Sequence, residues 1–134
     1  MNRSELADRT RAVAHQLLHE KGFVSAVDVL LSAGRLSKED HERWRFRQVQ
    51  HLEAVLPGSL NQHAFFLREL RAWARALDLK PSRTAYVSWG KGPKQRLRFS
   101  KYGRPHLEES FSTHYVRKAP DKARSTEPDS IPRP

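Results

Sequence analysis

Thr84-Ala85-Tyr86-Val87-Ser88-Trp89-Gly90-Lys91-Gly92-Pro93-Lys94-Gln95-Arg96-Leu97-Arg98-Phe99-Ser100 is the stretch on which the fold class turns. Its two β-rich runs, 84–89 and 95–100, have a period near two, and Gly90-Lys91-Gly92-Pro93-Lys94 joins them as the loop of a hairpin. Everything N-terminal to it is patterned at intervals of three and four, the period of helices. The chain is therefore expected to be α+β and mostly helical, with about four helices, a β-hairpin in its C-terminal half and a short last helix.

Alternation along the second run sends Leu97 and Phe99 to one side and Arg96 and Arg98 to the other, with Lys91 and Lys94 at the tip and Lys101 just beyond. Glycines at 90 and 92 leave little bulk at the turn, so its amides and lysines can approach an anion closely. Lys and Arg on a two-stranded ribbon also stop edge-to-edge pairing, which is the alternative account of the same residues. The distribution of charge favours phosphate contact. The chain carries 25 Lys and Arg against 15 Asp and Glu, a net charge of +10, and residues 83–118 hold nine of the basic groups but only two acids. Edge protection does not require so lopsided a segment.

Upstream, four helices announce themselves by their caps. Ser4 to Lys21 places Leu6, Thr10, Val13, Ala14, Leu17 and Leu18 on one face, and Gly22 can end it. Ser25 with Asp28 opens a second helix, through Val27, Leu30 and Leu31 to Gly34. Ser37-Lys38-Glu39-Asp40 opens a third, through Trp44, whose continuation into Val49, Leu52, Val55 and Leu56 the pattern leaves undecided. Ser59 and Gln62 form a capping box for the longest, from Leu60 to about Leu79, closed by Lys80-Pro81. On a helical wheel its apolar arc holds Leu60, Ala64, Leu67, Leu70, Trp73, Ala74 and Leu77. Arg68, Arg71 and Arg75 gather at the edge of that arc, where they either neutralise neighbouring phosphates or are a solvated flank, with Arg71 pairing Glu42 or another acid. Phe65 lies off the arc and is expected to be packed by a neighbour. Pro105 starts the last helix, carrying Leu107, Phe111 and Tyr115.

Enzymatic patterns are weak. His15 and His19 are four apart on a helix but have no acid and no third ligand to make a metal site. Gly90-Lys91-Gly92 lacks the third glycine of a dinucleotide fingerprint and the Lys-Ser/Thr ending of a P-loop. Neither a catalytic set, a metal nor a cofactor is assigned. Asp40-His41-Glu42 and His114 leave a small nuclease as the third choice of function. With no cysteine there is no disulfide and no thiolate chemistry, and with no apolar run near ~20 residues no spanning helix is expected. The cytoplasm is the default compartment.

A long helix bearing arginines followed by a basic hairpin resembles, in general plan, winged helix-turn-helix domains. Tyr86, Trp89, Phe99 and Tyr102 interleave with the cations, as stacking residues of a single-strand binder or as a small core under the hairpin. The expected function is non-catalytic binding of DNA or RNA through Arg68, Arg71, Arg75, Lys91, Lys94, Arg96, Arg98 and Lys101. An adaptor domain that binds an acidic protein surface is the rival.

Residues 1–118 are expected to form the domain. The segment 119–134 contains Pro120, Pro128, Pro132 and Pro134 with Ile131 as its one large aliphatic residue, so it has too little apolar surface to offset its ordering entropy and is expected to be a disordered tail. Truncation after Lys118 should therefore leave the thermal unfolding midpoint almost unchanged, and a large drop would show that the tail docks on the domain.

Overall fold

The computed structural model describes residues 2–118, and the expected tail lies outside the described residues. The domain is α+β and mostly helical: α1 (Arg3–Lys21), β1 (Phe23–Ser25), α2 (Ala26–Ser32), α3 (Lys38–Arg45), a 3-10 turn (Leu52–Val55), α4 (Leu60–Ala76), β2 (Lys80–Arg83), α5 (Pro105–Ser112) and β3 (Thr113–Val116). Local chemistry fixes the helix starts. The Ser25, Ser37 and Ser59 hydroxyls accept from the amides of Asp28, Asp40 and Gln62, and the Gln62 side chain accepts in return from the Ser59 amide. Asn2 and Glu5 make the same reciprocal box at the start of α1. Gly22, at φ +81, turns the chain out of α1 directly into β1.

The strands come from separate parts of the chain. β3 is central, antiparallel to β1 on one side and β2 on the other, with Tyr115 opposite both Val24 and Pro81. Pro81 is tolerated because β2 is an edge strand. The sheet thus displaces two expectations. Tyr115 belongs to β3 and not to the last helix, and the three strands are not those read from the sequence. Residues 84–100 fold back on themselves as expected, but through a single antiparallel bridge, Val87 with Arg96, flanked by bonds from Ser88 N to Gln95 O and Leu97 N to Tyr86 O, both 2.8 Å. Regular strands do not extend because the neighbouring backbone groups are engaged elsewhere: Trp89 N donates to Arg45 O, and Arg98 O faces α3 and the 3-10 turn.

The core lies where α1, α2, α4 and α5 meet under this hairpin-like loop. Trp44 is fully enclosed (0% exposed), its ring 5.1 Å from Phe99 and 5.7 Å from Tyr86, and Phe99 in turn stacks on Phe111 at 5.2 Å. α4 buries His63, Phe66, Leu67, Leu70, Trp73 and Ala74. Its apolar arc is therefore rotated slightly from the wheel: Leu60 and Leu77 are 41% and 42% exposed, because Leu60 sits in the first turn and the helix ends before Leu77. Phe65 packs partly against the core, with the Arg3 guanidinium 4.9 Å over its ring. No helix of the described residues is long and apolar enough to cross a membrane.

The buried indole of Trp44 donates to the carbonyl of Arg98 at 2.7 Å. Replacing Trp44 by Ala should cost about 3–5 kcal/mol in urea unfolding through the cavity and the orphaned carbonyl. Trp44→Phe, which keeps most of the volume and loses the donor, should cost clearly less. Equal losses would place the whole effect in the hydrogen bond.

Candidate nucleic-acid interface

The inward-facing positions of the 95–100 segment orient its cations. Leu97 and Phe99 are buried, and Glu108 reaches up from α5 to accept from Phe99 N, Ser100 N and the Ser100 hydroxyl at 2.7–3.1 Å. With the backbone held on both sides, Arg96 and Arg98 have only the outer face available; Arg96 is exposed, and Arg98 lies along the surface. They line a cleft of about 320 Å³ together with Arg47, Val49, Gln50 and Leu97. Three arginines therefore line this cleft, with no carboxylate among the described residues lining it. Arg98 is partly anchored, donating to Lys101 O at 2.6 Å, whereas neither Arg47 nor Arg96 is in an ion pair among the described residues.

Arg47 owes its place to an unusual helix ending. α3 closes with Arg47 N donating to Trp44 O and Gln48 N to Arg43 O, the bond pattern of a Schellman motif. The residue in the left-handed position is Arg47 itself, at φ +61, where glycine is the usual occupant. That conformation carries a strain of order 1 kcal/mol. The sequence carries a signal for this corner that the charge count passes over: Arg43-Trp44-Arg45-Phe46-Arg47 alternates arginine with aromatic residues. Trp44 goes inward, while Phe46 remains 48% exposed.

Phe46, next to Arg47 in the chain, packs edge-on to Trp89 at 5.8 Å; Trp89 is 40% exposed and has His41 edge-on to it at 5.5 Å. The Arg45 guanidinium lies 4.6 Å from its ring, and burial holds the Arg45 pKa below its ordinary value. Burial and the nearby Arg45 charge likewise lower the pKa of His41, which favours the neutral ring against Trp89. Lys91 and Lys94 occupy the exposed turn next to Trp89, and Lys94 folds back to donate to Gly90 O at 2.8 Å. Gly90 and Gly92 both take positive φ, so the turn needs them.

Lys101 faces a different cleft, about 310 Å³, lined also by Tyr102, Arg104, His51, Glu53, Leu60 and His63. Tyr102 is 71% exposed, with the Lys101 ammonium 5.4 Å and the Arg104 guanidinium 6.0 Å from its ring. His63 is buried at its floor, and that burial keeps its pKa below the usual value. The α4 arginines lie apart from both. Arg71 and Arg75 line a third cleft of about 270 Å³ with Pro81, His106, Glu109 and Tyr115. Burial raises the Tyr115 phenol pKa while the two arginines lower it. Glu109 pairs with Arg83 at 3.5 Å, so this cleft has mixed charge. Arg68 is exposed on α4, and Glu69 pairs with Arg11. The eight cations expected from the sequence are thus all on the surface, but Arg71 and Arg75 line one cleft, Arg96 and Arg98 a second and Lys101 a third. Of the four candidate stacking residues, Phe99 belongs to the core and Tyr86 packs partly buried against it.

Of the histidines considered for metal, His15 lies edge-on to Trp73 at 6.4 Å and lines a shallow groove with His19. Among the described residues no three His, Asp or Glu side chains are grouped as a metal site. No family model, curated protein or solved structure matches the chain.

Because the Arg47 backbone is strained and its side chain points away from the core, Arg47→Gly should leave the unfolding free energy within about 1 kcal/mol of the parent, or raise it. Denaturant titration checks this. A larger loss would mean that the arginine side chain holds the turn.

Proposed function

We propose that this protein is a non-catalytic nucleic-acid-binding domain that grips phosphates with Lys91, Lys94, Arg96 and Arg98 of the hairpin-like loop, joined by Arg47. The carrying observation is that Arg47, Arg96 and Arg98 line one carboxylate-free cleft, with the exposed Phe46 next to Arg47 in sequence and packed on Trp89. Guanidinium forks match phosphate oxygens two at a time, and three of them on a short path suit a polymer of closely spaced anions. Flat rings next to the cations add a partner for bases, which an acidic protein surface does not offer. The net charge of +10 supplies the long-range attraction. The cytoplasm, where nucleic acid is abundant, is the compartment this function implies.

A second docking geometry is the winged-helix one, with α4 laid in a groove and the 84–100 loop as wing. The exposure of Arg68, Arg71 and Arg75 along α4 favours it. Because Arg71 and Arg75 line a mixed-charge cleft apart from that of Arg96 and Arg98, the loop is favoured as the principal contact, with the α4 arginines and Lys101 as outlying phosphate contacts.

A cation that neutralises a phosphate displaces the counterions condensed there, so removing the cation lowers the salt dependence of binding. Arg47, Lys91 and Arg96 can be replaced together by Gln with little effect on folding, since their side chains are exposed. The slope of log affinity against log salt should then fall by about 2–3 in magnitude, at roughly 0.7–0.9 per phosphate. A folded triple variant with unchanged affinity and slope would overturn the proposal and leave an acidic protein as the favoured partner.

A further inference from the structure

We infer that the strand bound at this face is single-stranded, with bases stacked on Trp89 and Tyr102, an inference that rests on the nucleic-acid reading above. The three large exposed aromatic residues of the described chain are Phe46, Trp89 and Tyr102. Phe46 precedes Arg47 in sequence and packs against Trp89 and beside Gly90. Arg98 donates to the Lys101 carbonyl and lies against Gly103, the residues on either side of Tyr102 in sequence.

Each ring is prepared for a flat partner. Arg45 covers the Trp89 ring from one side and fixes it, and Trp89 N is tied to Arg45 O at 2.8 Å, so the indole is presented with little freedom left to lose. Tyr102 stands between Lys101 and Arg104 beside a cleft of about 310 Å³ with Leu60 and Leu107 in its wall, which suits an inserted base. A duplex keeps its bases stacked on one another and can use only the cations. A single strand can use rings and cations together, and base–aromatic stacking is insensitive to sequence.

The test uses the intact protein and single-stranded RNA, single-stranded DNA and duplex DNA of one sequence, each about 12 nucleotides long, within the size range of single-strand sites. Trp44 and Trp73 are buried, so the binding-induced change in tryptophan fluorescence reports Trp89. The expected result is quenching by a single strand and affinity at least about tenfold above that for the duplex at equal salt. Tyr102→Leu should weaken single-strand binding about five- to one-hundredfold with duplex binding unchanged. Trp89→Leu should do the same and abolish quenching, and Trp89→Phe should restore affinity. If Trp89→Leu does not fold, Phe46→Leu and Tyr102→Leu, both at exposed positions, carry the comparison. Equal affinity for the duplex without quenching overturns this inference and leaves phosphate binding standing. Failure to bind any of the three at low salt overturns the nucleic-acid reading itself, and this inference with it.

Discussion

The carbonyl of Arg98 holds the molecule's two halves together. One of its lone pairs accepts from the buried Trp44 indole at 2.7 Å and the other from Leu52 N at 3.1 Å, while Glu53 N donates to the next carbonyl, Phe99 O, at 3.0 Å. A buried indole N–H without an acceptor is costly, so the 96–100 segment is drawn onto α3 and the 3-10 turn. Phe99 then enters the aromatic cluster, and Glu108 satisfies the amides on its far side. With the Arg98 carbonyl turned inward, its side chain and that of Arg96 are left outside. The cationic cleft is the outer surface of a core constraint.

This constraint also explains why a region with the pattern of a β-hairpin contains only one bridge. Alternation told correctly which side chains go in and which go out, because that depends only on an extended backbone. It did not tell where the backbone bonds would go, because their partners, Arg45, Trp44 and Leu52, lie far upstream. The sheet was hidden for the same reason. β1, β2 and β3 are three or four residues each; β1 pairs with β3 across nearly the whole domain and β2 with β3 across about thirty residues, so no local window shows them. Leu107, Phe111 and Tyr115 keep helical spacing although the backbone changes to a strand at Thr113, and spacing alone does not separate the two.

The helices were legible because their signals are local. The capping serines at 25, 37 and 59 stand where the chain starts its helices, and the shift of the α4 arc to His63 and Phe66 is smaller than one helical step. The candidate site was half legible. Arg96 and Arg98 follow from alternation, while Arg47 is aimed by a left-handed backbone that an arginine rarely adopts, and nothing in residue type announces that conformation. Trp89 and Tyr102 could be named but not separated from Tyr86 and Phe99, since exposure is decided by the closing of the loop over Trp44.

The place of β3 between β1 and β2 gives the protein a sharp moment of completion during its synthesis. The ribosome releases the N-terminal side first, so both outer strands are made before the strand that pairs with them. Until Thr113–Val116 emerges, two strand edges lack their partner, and only just before it does the aromatic cluster receive Phe111. A nascent chain stopped short of that stretch is sticky on two counts, apolar surface and open strand edges, and a few further residues remove both.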